Sequence, residues 1–351
     1  MSRKLFTDDL NHVLLHTRGL WEELRGRRLF VTGGTGFFGV WLVESFLWIN
    51  EQLDLGARLV VLSRDPAAFL RKMPHLADRP ALTFASGDVS TFEFPSGPFS
   101  HVIHAATPSV VSPGGSPLGL FRTIVEGTRR TLDFARHCGA GKFLLTSSGA
   151  VYGRQPAEVS HVPEDYAGAP DPMLAGSEYG EGKRVAELMC AQYAGHYGIE
   201  AKISRGFAFV GPHLPLDAHF AAGNFIRDAL RGGPITVGGD GTPWRSYLHA
   251  ADLAVWLWTI LFRGQSCRPY NTGSDAAVTI AELARQVAAA VDPAMEVRIA
   301  GRPQPGAGRR AYVPSIGRAR DELGLTVTIP LADAIRRTVA WQLQTLRPEQ
   351  S

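Results

Sequence analysis

Arg28-Leu-Phe-Val-Thr32 runs straight into Gly33-Gly34-Thr35-Gly36-Phe37-Phe38-Gly39, and that into Val40-Trp-Leu-Val-Glu-Ser-Phe-Leu-Trp-Ile49. This reads as a short apolar strand, a glycine turn and an apolar helical run. Glycines at 33, 36 and 39 let the backbone turn tightly. They also let a pyrophosphate approach a helix N-terminus, where unpaired N–H groups and the helix dipole favour an anion. A glycine triplet alone is a weak sign, but set between a strand and a helix it points to dinucleotide binding. The competing reading is a tight turn that holds no ligand. The candidate cofactor contacts here are Gly33, Thr35, Gly36, Phe37, Phe38 and Gly39.

The next strand, Ala57–Leu62, ends in Ser63-Arg64-Asp65. An acid at a strand end of this kind binds the ribose 2′-hydroxyl of NAD, whereas an arginine can pair with a 2′-phosphate. Ser63 and Arg64 therefore favour NADP over NAD. The alternative is that Arg64 is solvated and Asp65 folds back to the ribose. A strand over Ala81–Ser86 leads into Gly87-Asp88-Val89, where Asp88 could receive an adenine amino group and Val89 flank the ring. A turn or cap aspartate explains Asp88 equally well. A strand over Ser100–Ala106 ends in His104-Ala105-Ala106-Thr107, whose small residues permit close backbone approach to a cofactor. His104 reads as a packed strand residue rather than a catalyst.

The chain has 351 residues, 45% hydrophobic and 20% charged, enough to bury a large core in one large or two medium domains. A net charge of +3 gives no footprint for nucleic acid. No apolar run is long enough for a membrane span. Residues 1–27 carry acids and lack a continuous apolar stretch, so they read as a helical extension and not as a secretory signal. Cys138, Cys190 and Cys267 are scattered, without metal-ligand spacing, and a reducing cytoplasm is the default. Two loops rich in Pro and Gly stand out, Pro108–Pro117 and Gly301–Gly308.

Ser177-Glu-Tyr179-Gly-Glu-Gly-Lys183 opens a segment of good helix formers. Residues four apart on a helix share a face, so the Tyr179 phenol and the Lys183 ammonium lie together. For proton transfer near neutral pH a phenol must fall two or three units from about 10, which takes about 3–4 kcal/mol. One cation at about 5 Å, at an effective dielectric near 20, supplies roughly 3 kcal/mol, and a second cation, such as an oxidised nicotinamide, would supply the rest. The pair can thus form the proton-handling half of a hydride-transfer site, although most isolated Tyr-x-x-x-Lys matches are surface residues. Strand Lys142–Ser147 runs into Ser148-Gly149-Ala150-Val-Tyr-Gly153. A hydroxyl at the carboxyl end of a parallel strand sits where open α/β sheets bind ligands, so Ser148 could hold a carbonyl or alcohol oxygen beside Tyr179. The plainer reading of Ser147 or Ser148 is a turn cap.

Strands and helices alternate from Arg28 to Arg205, the pattern of an α/β, Rossmann-type doubly wound parallel sheet. After Gly211-Pro212 the texture changes, which suggests a smaller C-terminal substrate-binding lobe. The expected division is an extension at 1–27, a dinucleotide-binding domain at 28–206 with a return around 264–292, and a discontinuous lobe over 207–351.

The stretches TGGTGFFG, SSGAVYG, YGEGK, RGFAFVGP, GDGTPWRSYLHAADLA and LGLTVTIPLADAIRRTVAW occur in that order over about residues 28–345. Together they resemble the extended short-chain dehydrogenase/reductases of the nucleotide-sugar epimerase/dehydratase type. The resemblance implies bound NAD(P), a nucleoside-diphosphate sugar in the cleft, and hydride passing between a sugar carbon and the nicotinamide. It implies that Tyr179 is the acid/base, that Lys183 binds the ribose and lowers the Tyr179 pKa, and that Ser148 bonds the reacting sugar oxygen. It also implies a homodimer through helices at about 118–137 and 178–197.

The 4,6-dehydratases of that family carry an Asp-Glu pair after the catalytic hydroxyl, where this chain has Gly149 and Ala150. Decarboxylating relatives want an acid near Ala150. The absence of both disfavours those reactions by their usual routes and points to a 4-epimerase or 4-ketoreductase, with dehydration or decarboxylation by an atypical route as an alternative. Ala208 replaces the family's lobe asparagine, a contact Asn224 is a candidate to supply, and Arg245 is retained as a candidate diphosphate clamp. The alternative from a different class is a non-catalytic protein that binds a dinucleotide.

Overall fold

The computed structural model describes residues 2–107, 114–218, 220–304, 306 and 308–346. Most of the Pro108–Pro117 loop, and positions 305 and 307 of the Gly301–Gly308 loop, lie outside these. Helix α1 (Ser2–Thr17) and a 3-10 turn (Arg18–Leu24) precede β1 (Arg28–Thr32) and α2 (Phe37–Gln52). Then come β2 (Arg58–Ser63), α3 (Pro66–Lys72), β3 (Leu82–Ser86), β4 (His101–His104), α4 (Pro117–His137), β5 (Lys142–Ser148), α5 (Glu178–Tyr197) and β6 (Glu200–Gly206). The later part comprises β7 (Phe209–Val210), α6 (Ala221–Leu230), β8 (Ile235–Val237), β9 (Trp244–Arg245), β10 (Leu248–His249), α7 (Ala250–Arg263) and β11 (Pro269–Thr272). It ends with β12 (Val278–Thr279), α8 (Ile280–Val291), β13 (Val297–Ile299), β14 (Ala311–Tyr312), α9 (Gly317–Leu323) and α10 (Leu331–Leu346).

Seven strands form one parallel sheet in the order β3-β2-β1-β4-β5-β6-β11. This is the Rossmann arrangement expected from the sequence. The order reverses between β1 and β4, whose ends Thr32 and His104 lie side by side in register. Ligands of open α/β sheets bind outside the carboxyl ends at such a reversal. Because side chains alternate across a strand, the sheet feeds two cores. Leu29, Val31, Leu59, Val61, Ile103 and Leu144 face one, and Phe30, Val60, Val102, Phe143 and Leu145 face the other.

The first core carries a double layer. Every residue of α7 from Ala250 to Phe262 is buried. A helix apolar on all sides needs cover on all sides. It packs on β5, β6 and α2, and β11 after it pairs with β6 as the sheet's edge strand, within the return expected around 264–292. The N-terminal extension supplies the outer cover. Trp21 packs at a tilt of 55° on Trp258, with ring centroids 4.7 Å apart, and the Trp258 indole N–H donates to Ser45 Oγ at 2.9 Å. The second core has a single layer, α4 and α5. The lobe is held by very short strands, with β9 flanked by β12 and β14.

Candidate active site

The glycine turn divides its labour. A Cβ on Gly39 would lie 2.1 Å from the Gly33 carbonyl oxygen and 2.4 Å from Gly34 Cα, so Gly39 exists for close packing of α2 on the turn. Gly33 has φ +73° and would meet the Ala105 backbone at 2.4 Å. Gly36 would meet only the Gly33 oxygen, at 3.5 Å, and faces open space beside exposed Thr35. The first helical bond of α2 is Val40 N–H to Gly36 O, which leaves the N–H groups before it free of helical acceptors. That mouth fits a diphosphate. Phe38 packs edge-on against Phe209 of β7 at 4.9 Å. The Ala105 and Ala106 N–H groups bond Thr32 O and Oγ1 at 3.1 and 3.3 Å, which fixes β4's exit beside the turn.

At the end of β2, Ser63 Oγ accepts from Asp65 N–H at 3.2 Å. Asp65 caps α3 by accepting from Ala68 N–H at 2.8 Å, so that carboxylate serves a helix end. Arg64 is exposed and makes no ion pair among the described residues. Asp88 is exposed and accepts from Ser90 N–H at 2.9 Å, the turn bond of the plainer reading. Val89 is buried against α4, where it faces Gly127.

Ser148 ends β5 opposite Gly206 of β6. Its Oγ accepts from Ala150 N–H at 3.1 Å and so caps the 3-10 turn Gly149–Tyr152. Tyr179 stands in the first turn of α5, with Lys183 one turn on and buried. Gly180 between them lets the helix approach, since a Cβ there would be 2.7 Å from Ala150 O. Lys183 Nζ donates to Thr107 Oγ1 at 3.0 Å and Thr146 O at 2.7 Å, which leaves one N–H. Ser148, Tyr179, Lys183 and Thr107 thus gather at the carboxyl ends of β4 and β5.

The electrostatics of the unliganded cleft are set mainly by burial. Burial holds the Tyr179 phenol above its ordinary value, opposed by a bond from Ser148. Lys183 Nζ lies 5.9 Å from the Tyr179 ring centroid, and its protons go to Thr107 and the Thr146 carbonyl rather than to the phenol. Burial also brings Lys183 down to about 7, against the pull of Glu187. His104 is buried between Thr32 Oγ1 at 2.8 Å and Thr128 Oγ1 at 3.2 Å, and burial and Lys183 hold it neutral, down at about 3. It is a packed strand residue.

Two residues went unread in the sequence. Glu187, one turn beyond Lys183, accepts from Ser147 Oγ at 2.6 Å and from Arg205 Nε and Nη2 at 3.0 and 2.6 Å. Arg205 continues to Tyr152 Oη at 2.9 Å, and Tyr152 to Asn271 Oδ1 at 2.7 Å. Its spacing after Lys183 was the available signal. Tyr312 of β14 brings its phenol to 3.4 Å from Ser148 Oγ, and no sequence pattern announces it.

Arg245 lies across from Tyr312 in register, its guanidinium 5.8 Å from that ring, with one N–H donated to its neighbour's carbonyl, Trp244 O, at 2.8 Å. It therefore faces the same cleft. Asn224 sits in the first turn of α6 and accepts from Arg227 at 3.3 Å. No bond among the described residues ties it to Ser148 or Tyr179.

The family model described as NAD dependent epimerase/dehydratase family matches residues 29–273. The chain belongs to that family. Among its relatives, UDP-glucuronic acid decarboxylase 1 of Arabidopsis thaliana is 31% identical over 314 residues, covering 89% of this chain and 69% of that protein. A solved dTDP-glucose 4,6-dehydratase of Streptomyces venezuelae with NAD bound is 26% identical at TM-score 0.75, over 90% of this chain and 97% of that one. The UDP-glucose 4-epimerase of Thermotoga maritima shares the fold at TM-score 0.75 and 21% identity, over 91% of this chain and 100% of that one. As a member of the epimerase/dehydratase family, the chain has the turn, sheet reversal and hydroxyl cluster to hold a dinucleotide. No helix of the described residues is long and apolar enough to cross a membrane.

Proposed function

We propose that this protein oxidises or reduces a ring carbon, C4, of a nucleoside-diphosphate sugar, as a 4-epimerase or 4-ketoreductase with bound NAD(P). The observation that carries the reading is the convergence of Ser148, Tyr179 and Lys183 with Gly149 and Ala150, and no carboxylate, beside the hydroxyl. Bound NAD(P) supplies hydride transfer at that carbon. Ser148 holds the sugar oxygen. Tyr179 takes the oxygen's proton in the oxidising direction and returns it in the reducing one. Lys183 offers its remaining N–H to a ribose hydroxyl. Burial keeps Tyr179 protonated, which suits proton donation, so removal of a proton calls for a further positive charge in the cleft.

In this reading residues 1–27 are a structural cover, 28–206 and the returning segment around 264–292 bind the dinucleotide, and the lobe from 207 binds the sugar nucleotide. Arg245 clamps the diphosphate, and Asn224 is a lobe contact in place of Ala208. A cytoplasmic homodimer through α4 and α5 fits the 75% and 59% exposure of Leu118 and Leu188. Free Arg64 and committed Asp65 support NADP. Arg64→Asp should then move preference toward NAD, and an unchanged ratio of NADP to NAD affinity rejects this assignment.

The likeness to UDP-glucuronic acid decarboxylases favours a second reading, decarboxylation by a route without an acid at position 150. The test offers UDP-glucose, UDP-galactose, dTDP-glucose and UDP-glucuronic acid to the purified protein and follows cofactor absorbance at 340 nm and the sugar products. Tyr179→Phe should lower turnover about 100-fold or more. Unchanged turnover in that variant, or no turnover of any of the four, defeats the first reading. Release of CO2 from UDP-glucuronic acid supports the second.

A further inference from the structure

Tyr312 reaches the cleft from the lobe, while Ser148 belongs to the sheet. The Tyr312 ring lies on Phe207, with centroids 4.7 Å apart and planes at 35°. Its phenol oxygen is 3.4 Å from Ser148 Oγ and 3.4 Å from the Gly206 carbonyl. The backbone that carries it is pinned next door. Val313 N–H donates to Gln155 Oε1 at 2.9 Å, and Val162 N–H donates to Val313 O at 2.9 Å. A Cβ on Gly149 would lie 2.8 Å from the Tyr312 oxygen and 2.7 Å from Phe207 Cζ. The phenol thus occupies the ground where an acidic side chain at position 149 would begin.

We propose that Tyr312 is a positioning residue that turns the Ser148 hydroxyl proton toward the reacting sugar oxygen. This rests on the reading above, in which Ser148 holds that oxygen. A serine hydroxyl has one proton and two acceptor lone pairs. The Ala150 N–H fills one lone pair. When the Tyr312 O–H fills the other, the Ser148 proton is left with the cleft and Tyr179 as its only directions. Each bond in the chain from Tyr312 to Ser148 to the sugar oxygen polarises the next. The opposite wiring has Tyr312 donating to Gly206 O and receiving the Ser148 proton, which turns serine away from the cleft. The two wirings make opposite predictions for loss of the phenol.

The experiment measures turnover of whichever of the four sugar nucleotides named above is active, using the full-length protein with its bound cofactor. Wild type, Tyr312→Phe, Ser148→Ala and the double variant are compared. Phenylalanine keeps the ring on Phe207, and unchanged cofactor content and Tm report an intact cleft. Tyr312→Phe should lower kcat about 3- to 10-fold with KM little changed. In the Ser148→Ala background it should cost less than about 2-fold, because two groups that act through one another are not additive. A rate equal to or above wild type, an equal loss in both backgrounds, or a loss confined to KM overturns the proposal. If Ser148→Ala itself leaves kcat unchanged, the assignment of Ser148 fails, and this one with it. If Ser148→Ala is impaired and Tyr312→Phe is not, only the role of Tyr312 falls.

Discussion

The cleft has two walls, and they are built by different means. The sheet wall consists of Gly33–Gly39, Ser148 and Tyr179–Lys183, each at the end of a long strand or the start of a long helix. The lobe wall presents Arg245 and Tyr312 from two-residue strands, β9 and β14, that meet across more than sixty positions of chain. Each part of the first wall is anchored by seven-stranded pairing or by a helix packed on the sheet. The second depends on a few backbone bonds around Val162, Val313 and Ser315. In the sheet wall, local sequence and local geometry coincide. In the lobe wall, geometry arises only once distant segments meet.

This contrast can be broken most sharply at the glycine turn. Gly39→Ala forces a Cβ against backbone atoms that cannot yield, so it should cost about 3 kcal/mol or more and lower Tm by roughly 5 °C, with loss of bound dinucleotide. Gly36→Ala should leave Tm alone and weaken dinucleotide binding about 10-fold, since only a ligand would meet the new methyl. Thermal melts with and without NAD separate the two. Equal destabilisation by both changes would refute the division of labour in the turn.

On the lobe wall, Arg245→Ala should reduce kcat/KM for the active sugar nucleotide about 10- to 100-fold, the scale of a lost hydrogen bond to a charged group. Cofactor content and Tm should stay at wild-type values. A parallel loss of cofactor would mean that the two walls are not separable.

The smallest effect concerns charge buried in the sheet wall. Lys183 titrates at about 7 in the folded chain and near 10.4 unfolded. Between these values the unfolded state binds the extra proton, so this group makes stability rise with pH, and its penalty is full below about 7. Lys183→Met removes that dependence. The variant's stability advantage over wild type should be greatest near pH 6 and shrink by about 1 kcal/mol per unit from about pH 7 to 9. Urea unfolding at several pH values checks it, and a constant difference across the range counts against a depressed lysine.

The candidate residues of the sheet wall were legible because each sits at a break between two periodicities. Thr32 passes into glycine, Ser148 into Gly149, and Tyr179 and Lys183 share a helical period. The spacing did not reveal how the lysine's protons are spent. Thr107 follows β4 and Thr146 belongs to β5, so the lysine's partners come from segments distant in the chain, and burial raises the phenol. Glu187 was visible at the same period and went unread, since an acid on a helix is ordinarily solvated. Its partner Arg205 is adjacent only through the pairing of β5 with β6. Asp65 caps α3 through a bond of three residues' reach, which the strand end alone did not announce.

By itself the sequence determined the parallel sheet, the glycine turn at its reversal and the order of the candidate site residues along the chain. These follow from hydrophobic period and from residues such as glycine whose backbone freedom is a local property. Only the tertiary structure decided that α7 belongs to the sheet layer, that Lys183 spends its protons away from Tyr179, and that Tyr312 stands before Gly149. Burial, register between distant strands and the filling of a hydroxyl's lone pairs depend on which surfaces meet. Two-residue strands such as β9 and β14 carry no period from which that meeting could be read.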